Sequence, residues 1–540
     1  MDPSQPQTAP SPNSRIFLET FGCQMNELDS ELLRDHLAAL GYIFTNSPSS
    51  ADIILYNTCS VREQAENKVL SRVGRVGVHK AGGADVILGV IGCLAEQMGD
   101  GLIQKYPQID LMCGPGELDK LPMLLQNARG ARRLRPAERI ALQGDTRRHL
   151  PTLSPAADNL EPLDLSRALD PERAAAAGRS AYVRITRGCN KFCSYCVVPR
   201  TRGPEVHRPP DVIVDECRRL AEAGIIEITL LGQTVNHYLY THGPTVSVDG
   251  RELPQIGPGA AAFRREAGGG SSSRSAGRRV TTFADLLGRI HDEIPAIRRL
   301  RFVTSYPRDF GDDILQVMAA SPRICRYLHV PAQSGSNRIL KLMNRGYTRE
   351  QYLDFVQRAR SHLPDVCIAG DIIVGFCTET DDDFEQTKDL LRRVRFKNNF
   401  IFKYSARAGT AVGDRMPDDV PDHVKRRRNN ELLALQAEIS LAVHRQYIGR
   451  TVGILVQQVS KKSARRPGRV VLAWEGPTRP LCGPTQMSGR TEGDLIAVFE
   501  LPNDRWPEDF IGRIIKVKIV DAAPLLLRAQ LCPTESPIFT

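Results

Sequence analysis

Three cysteines within eight residues, in RITRGCNKFCSYCVVPRTRG, constrain this chain more than any other feature of its 540 residues. Cys189, Cys193 and Cys196 come directly after a strand-like run. Their spacings of four and three residues let one loop fold its thiolates around three corners of a cubane iron–sulfur cluster. Three thiols leave one iron of a four-iron cluster without a protein ligand. That iron is open to substrate, as in a catalytic metal site that keeps one position vacant. Phe192 and Tyr195, set among the thiols, would shield such a cluster from water. A zinc knuckle would need a fourth ligand nearby, and the nearest, His207, lies eleven residues beyond Cys196 across a stretch rich in Pro, Arg and Gly.

The flanking sequence predicts more than one domain, as the length requires. Residues 1–14 read as a polar tail with no secretory signal. Residues 15–130 alternate strand and helix: RIFLETFG, SELLRDHLAALG, ADIILYNT, VREQAENKVLSRVGRV, DVILGVIG and AEQMGDGLIQKY. This alternation predicts a Rossmann-like α/β domain with a parallel sheet. Residues 131–178, rich in Arg, Pro, Ala and Asp, read as a linker. From 179 to 446 six further strands, AYVRITRG, IIEITLLG, RLRFVTS, RYLHVPA, VCIAGDIIVGF and NFIFKYS, alternate with helical patterns and predict an open, partial (β/α)6 barrel. A Gly/Ser/Arg-rich insertion at 241–279 reads as a surface loop. Residues 447–525 are β-rich (TVGILVQQVS, GRVVLAWE, DLIAVFELP, IGRIIKVKIVDA) and predict a small antiparallel barrel, followed by a tail at 526–540.

A net charge of +10 favours a polyanionic partner, nucleic acid before membrane. The positive excess of the last domain and the KRRR run at 425–428 read as a nucleic-acid grip or as a solvated basic face. The longest apolar stretch, Val86 to Leu94, is too short to span a bilayer, so a cytoplasmic location is expected. In such a chain clustered cysteines point to metal ligation rather than to disulfides.

Cys23, Cys59 and Cys93 form a second set, 36 and 34 residues apart. Each follows an apolar strand, in FLETFGC, ILYNTC and ILGVIGC, so all three belong at the carboxyl edge of one parallel sheet. Spacing alone supports equally a second cluster held there and three buried thiols in a Rossmann-like domain. The other seven (Cys113, Cys217, Cys325, Cys367, Cys377, Cys482, Cys532) show no pattern and read as buried small hydrophobes.

The CxxxCxxC loop after the first strand of a partial barrel resembles the signature of radical S-adenosylmethionine (SAM) enzymes. TFGCQMN, NTCSVRE and GCLAEQ resemble the N-terminal signatures of the methylthiotransferase family, and LLGQTVN, HVPAQSGS and DIIVGFCTET resemble its radical core. GRTEGDLIAVFE and IGRIIKVKI resemble the RNA-binding domain that ends these enzymes. The likeness runs from about residue 15 to about residue 525, without the linker and the insertion. It implies two [4Fe–4S] clusters, a radical one on Cys189, Cys193 and Cys196 and an auxiliary one on Cys23, Cys59 and Cys93. It implies two uses of SAM, one as methyl donor and one as source of a 5′-deoxyadenosyl radical. QMN after the first cysteine resembles the branch acting on carbon 2 of isopentenyl-adenosine beside the anticodon of tRNA. Threonylcarbamoyl-adenosine or a ribosomal protein is the alternative substrate. A reducing electron-donor protein and a monomeric state complete the expectation.

Polar residues at barrel-strand ends face active sites, which makes Gln233, Asn236, Gln333, Ser334, Ser336, Asp371 and Gly375 candidate cofactor contacts. Arg187, Arg200 and Arg202 flank the cysteine loop as candidate contacts to phosphate or to the cofactor carboxylate. Cys377 stands where the family motif has proline, and reads as a tolerated substitution. Replacing Cys377 with Pro is expected to leave the iron content of the cluster-loaded protein unchanged, measured as iron per chain; a drop would make it a ligand.

Overall fold

The computed structural model describes residues 14–61, 63–130, 136–143, 163–164, 167, 174, 178–242, 247–248, 251–252, 279–460, 485–502 and 505–532. The tail at 1–13, most of the linker, the body of the insertion, GRVVLAWE and Cys482 lie outside them.

The N-terminal sheet contains β1 (Arg15–Phe21), β2 (Ile43–Phe44), β3 (Ile53–Thr58), β4 (Ile87–Gly92), β5 (Leu111–Cys113) and β6 (Ile140–Ala141). All are parallel, in the order β2-β1-β3-β4-β5-β6. Three of these strands stand out in the sequence. The others span two or three residues, too few for a period to show. Helices α1 (Gln24–Ala39) and α2 (Glu63–Ala81) accompany the sheet, with separate apolar clusters around Leu33 and Val73. AEQMGDGLIQKY, expected as one helix, is two: α3 (Cys93–Met98) and a turn at Asp100–Lys105, broken at Gly99 by φ 54° and ψ −148°. The strand order reverses between β1 and β3, and such switch points leave a crevice at the carboxyl ends of the strands.

The second body carries the six expected strands: β7 (Ser180–Arg184), β8 (Glu227–Leu231), β9 (Arg299–Phe302), β10 (Tyr327–His329), β11 (Cys367–Val374) and β12 (Asn398–Lys403). They run parallel in two triplets, β7-β8-β9 and β10-β11-β12. A bridge from Leu300 to Ile324 and the Ser305 N–H donating to His329 O at 2.9 Å join the triplets. Helices α4 (Pro210–Glu222), α5 (Phe283–Glu293), α6 (Asp312–Ala320), α7 (Arg349–His362) and α8 (Asp381–Val394) connect them. α5, α7 and α8 each open on a reciprocal capping box, Thr282/Asp285, Thr348/Gln351 and Thr380/Asp383. Strands Leu239–Thr241 and Val280–Thr282 pair antiparallel and close the base of the insertion. Helix α9 (Asp422–Arg445) packs on β12 and leads out of the body. No helix among the described residues is long and apolar enough to cross a membrane.

The last body is a closed barrel of β13 (Thr451–Val459), β14 (Gln486–Thr491), β15 (Ile496–Glu500), β16 (Ile514–Ala522) and β17 (Leu527–Leu531), in the order β13-β14-β15-β17-β16. Four of its pairings are antiparallel, and β15 with β17 is parallel. An odd number of strands cannot close with every neighbour antiparallel, so one parallel pair is obligatory. QMSGRT and LRAQL, the strands absent from the sequence reading, lack a run of apolar or β-branched residues.

The small barrel plugs the floor of the larger one. Along β11, Ile368, Ile372 and Val374 pack towards the helices, while Cys367 and Ala369 on the opposite face join the apolar interior of the small barrel. Arg299 and Arg301, both buried, donate to backbone carbonyls of the plug: Arg299 to Arg490 O (2.7 Å) and Gly453 O (2.9 Å), Arg301 to Thr491 O (2.6 Å) and Glu492 O (2.9 Å). Glu227 neutralises Arg301 at 2.8 Å. Arg301→Met strands the Glu227 carboxylate, and is expected to cost roughly 3–5 kcal/mol in denaturant unfolding. Adding Glu227→Leu should recover part of that loss.

Candidate functional site

Cys23, Cys59 and Cys93 meet at the sheet's switch-point edge. Cys23 is the N-cap of α1, Cys93 opens α3, and the Cys59 N–H donates to Phe21 O at 2.9 Å. The glycines before two of them permit this approach. A Cβ on Gly22 would lie 2.8 Å from Cys59 Cβ, and one on Gly92 would lie 2.4 Å from Asn57 Oδ1. Asn26, of the QMN run, is a brace: its Nδ2 donates to Asn57 Oδ1 at 3.0 Å, and Asn57 Nδ2 returns a bond to Asn26 O at 2.9 Å. The Cys59 thiol, hydrogen-bonded to Cys23, holds the latter down to about 6, assisted by the Arg202 guanidinium. The same bond drives Cys59 well up, and burial raises Cys93 against the pull of Arg202. Three thiols this mutually coupled fit one cluster.

The second set lies on the loop after β7. Gly188, at φ 74°, turns the chain where a Cβ would lie 2.0 Å from Pro204 O. The loop is pinned by the Cys189 N–H donating to Gly203 O (3.2 Å), Ser194 N–H to Met343 O (3.0 Å) and Cys196 N–H to Cys193 O (3.0 Å). Burial raises Cys189 strongly, with Glu205 adding to it, and pushes Cys196 up to about 12, with the Cys193 thiol next in weight. Metal ligation would convert these thiols to thiolates.

The two sets face each other. α3 packs against the short Val198–Thr201 helix that follows Cys196, and Cys93 contributes to the rise of Cys196. Arg202 bridges them: it leaves the radical-type loop, bonds Asp29 of α1 at 2.8 Å and acts on both Cys93 and Cys23. Arg202 is therefore buried, not a surface phosphate contact, and Arg187 is paired with Asp164 at 3.3 Å. Arg200 packs closely enough on Gly409 to exclude any Cβ there. Sequence reasoning missed Arg345, whose Nη1 donates to Cys193 Sγ at 3.2 Å. The rings of Tyr306 and Tyr347 stack on this guanidinium at 4.7 and 5.3 Å. It lies 152 residues from Cys193, where no spacing rule reaches.

Among the candidate cofactor contacts, Gln233 and Asp371 stand apart from those bound into the fold. Gln233 has a buried Oε1 without a hydrogen-bond partner, and Asp371 stands on the lumen face of β11, 3.6 Å from His329. Phe400, paired with Asp371 in register, and Phe402 line the same face, both partly exposed. Asn236 is bound to the backbone of Tyr306 through both amide atoms, at 2.8 and 2.9 Å. Ser334 accepts from the Ser336 N–H at 3.2 Å, and Ser336 caps a helix and donates to Asp383 at 2.6 Å. Gln333, at φ 69°, shapes the turn after β10, and Gly375, at φ 69°, makes room for Lys425. The KRRR run is largely spent internally. Lys425 and Arg428 are buried, paired with Asp418 at 2.5 Å and Glu379 at 2.8 Å, and Arg427 pairs with Asp381 at 2.9 Å. Among the patternless cysteines, Cys113, Cys217, Cys325, Cys367 and Cys377 are buried as expected, Cys377 in an apolar cluster with Phe376 and Val412. Cys532 is only partly buried, because it follows the last barrel strand at the surface.

In cluster-free protein, iodoacetamide should alkylate Cys23 at a rate that rises with pH through about 6, since the thiolate is the nucleophile. Cys59 and Cys93 should lag to higher pH. Cys59→Ala should return Cys23 towards the ordinary thiol value of about 8.5, read by peptide mass spectrometry across pH.

Known proteins resemble the chain along nearly its whole length. The sequence model of the Radical SAM superfamily matches residues 183–391, and that of "Uncharacterized protein family UPF0004" matches residues 15–114. The tRNA-2-methylthio-N(6)-dimethylallyladenosine synthase of Rhodopirellula baltica is 39% identical over 485 residues, 90% of each chain. The enzymes of that name from Moorella thermoacetica and Ralstonia pickettii are 36% and 37% identical, covering 95% and 96% of this chain and 97% of each relative. Among solved structures, the radical SAM methyltransferase TsrM of Kitasatospora setae, with cobalamin and a [4Fe–4S] cluster, is a distant likeness at 16% identity, 74% of each chain and a TM-score of 0.47. With relatives this similar over both the sheet-edge thiols and the barrel loop, the chain belongs to the tRNA-2-methylthio-N(6)-dimethylallyladenosine synthase family of radical SAM methylthiotransferases, enzymes that work with [4Fe–4S] clusters and SAM.

Proposed function

We propose that this enzyme methylthiolates carbon 2 of N6-isopentenyl(dimethylallyl)adenosine next to the anticodon of tRNA, with two SAM molecules consumed per product. The observation that carries the reading is the juxtaposition of two three-thiol sets, one on each side of Arg202. Such an arrangement suits a reaction in which a sulfur group and a radical must reach one base.

In this reading Cys189, Cys193 and Cys196 hold the radical cluster, and Cys23, Cys59 and Cys93 the auxiliary one. When bound, the clusters and SAM supply a 5′-deoxyadenosyl radical and a methylated sulfur. The protein's part is placement and charge. Arg345 offers an N–H to Cys193 and Arg202 a buried positive charge to Cys23 and Cys93, which offset the charge of ligated thiolates. Gln233, Gln333 and Asp371 are the side chains left to contact SAM, while Asn236, Ser334, Ser336 and Gly375 fix the loops that carry them. Tyr195, edge-on to Phe376, excludes water from one side of the cysteine loop, whereas Phe192, expected to do the same, stands exposed. Phe400 and Phe402 offer ring faces in the lumen against which a purine can stack. The small barrel grips tRNA through Lys516 and Lys518, which alternate on the outer face of β16. The enzyme acts as a monomer in the cytoplasm and takes electrons from a reducing protein.

Expressed in a bacterium lacking its own methylthiotransferase, the chain should convert isopentenyl-adenosine in tRNA to its 2-methylthio form, read by nucleoside mass spectrometry. Gain by threonylcarbamoyl-adenosine alone would move the enzyme to the other tRNA branch. No change in either nucleoside, with both clusters present by iron analysis, would point to a protein substrate.

A further inference from the structure

Next to the Cys189 loop, a carboxylate lies between two imidazoles, all three side chains 0–1% exposed. Glu205 Oε1 is 3.0 Å from His207 Nε2 and 2.7 Å from His237 Nδ1. Two pieces of chain contribute: Glu205 with the short strand Val206–His207 that follows it, and the turn Val235–His237. None of the three side chains is used by the chemistry of the two cysteine sets.

The hydrogen bonds of this cluster leave one buried carboxylate oxygen, Glu205 Oε2, unsatisfied. His207 Nδ1 lies 2.7 Å from Leu239 O and 3.0 Å from Leu239 N, and its ring stacks on Tyr238 at 5.4 Å, so the ring is fixed. If Nδ1 carries the proton and donates to the carbonyl, Nε2 presents a bare lone pair to the carboxylate, acceptor against acceptor at 3.0 Å. If Nε2 carries it, both imidazoles are neutral donors, and a full negative charge stays buried with Glu205 Oε2 lacking any hydrogen-bond partner. Cys189, close enough to be raised by Glu205, adds a further negative charge once it ligates. With both imidazoles neutral the cluster lacks a cation, which either a proton on one imidazole or a metal ion would supply.

We propose that Glu205, His207 and His237 form a structural zinc site. His207 Nε2, His237 Nδ1 and the two Glu205 oxygens make a four-coordinate nitrogen–oxygen set of the kind zinc accepts. Donors about 2.0–2.2 Å from one ion at tetrahedral angles lie about 3.4 Å apart, so the two imidazole nitrogens, now 3.0 and 2.7 Å from Glu205 Oε1, need to open by only a few tenths of an ångström to take an ion. The bond from His207 Nδ1 to the Leu239 carbonyl is the outer contact that orients an imidazole ligand. Complete enclosure leaves no place for substrate, so the ion would tie the strand of His207 to the turn of His237 beside the radical-type loop.

The test uses the full chain, cluster-loaded and expressed with zinc in the medium. Plasma mass spectrometry should find one zinc per chain besides the cluster iron. Zinc-edge X-ray absorption of the wild-type protein should show nitrogen and oxygen neighbours without sulfur, which distinguishes this site from zinc misplaced on the cysteines. His207→Ser and His237→Ser should each lower zinc occupancy at least tenfold with iron unchanged. Wild-type protein free of zinc would overturn the proposal, leaving a proton shared within the cluster. Zinc bound through sulfur, or retained in both variants, would overturn it equally.

Discussion

The Asp29 carboxylate, buried in the first turns of α1, accepts from Arg184 at 3.0 Å on one oxygen and from Arg202 at 2.8 Å on the other. Those arginines bracket the radical-type loop, one on β7 and one just past Cys196. Asp29 itself lies six residues after Cys23, and Arg202 six after Cys196. One carboxylate thus fixes the separation of the two cysteine sets. The pairing continues into the body through Asp164, 2.5 Å from Arg184, and through Arg208 with Glu216 at 2.8 Å. A buried ion pair adds little net stability compared with well-packed apolar side chains, but losing one partner is severe. What this network supplies is a defined geometry between two domains that also meet through an apolar seam, where Leu231, Tyr182 and Val303 of the second body join the N-terminal core.

Much of this was legible in the sequence. Strands long enough to show a run of apolar residues, such as ADIILYNT or VCIAGDIIVGF, declared themselves, and the rule that parallel strands share a carboxyl edge brought Cys23, Cys59 and Cys93 together before any coordinates. The polar residues at strand ends were harder. Asn236 and Ser336 have the composition of ligand contacts, but they serve the backbone of Tyr306 and the cap of a helix. A short polar side chain meets both demands with the same atoms, so residue type cannot separate them. The basic run at 425–428 misled for a related reason: on a helix its members face different ways, and Lys425 and Arg428 turn inward.

Cations that serve the thiols were invisible for a different reason. Arg345 reaches Cys193 across 152 residues, and its position depends on two tyrosine rings and the carbonyl of Pro331, 3.2 Å away. No local pattern encodes a contact assembled from three strand ends. Each cysteine set nevertheless receives one buried guanidinium. Anionic clusters in a low-dielectric interior demand such partners, as isolated charges there are costly.

The way the small barrel is held has a consequence for how the family can diversify. Arg299 and Arg301 reach backbone carbonyls of the plug, at Gly453, Arg490, Thr491 and Glu492, and do not depend on which side chains those residues carry. These four bonds ask of the plug only a backbone path, while the rest of the attachment uses its side chains: Asp494 accepts from Lys397 at 2.7 Å, and the apolar interior of the plug meets Cys367 and Ala369. Within the loop that receives those bonds, Gly493, where a Cβ would lie 2.5 Å from Cys367 Sγ, and Asp494 are held in place along with the two arginines, while Arg490 and Glu492 are needed there for their carbonyls. Selection can in this way re-tailor the outer surface of the small barrel without disturbing the chamber of the larger one.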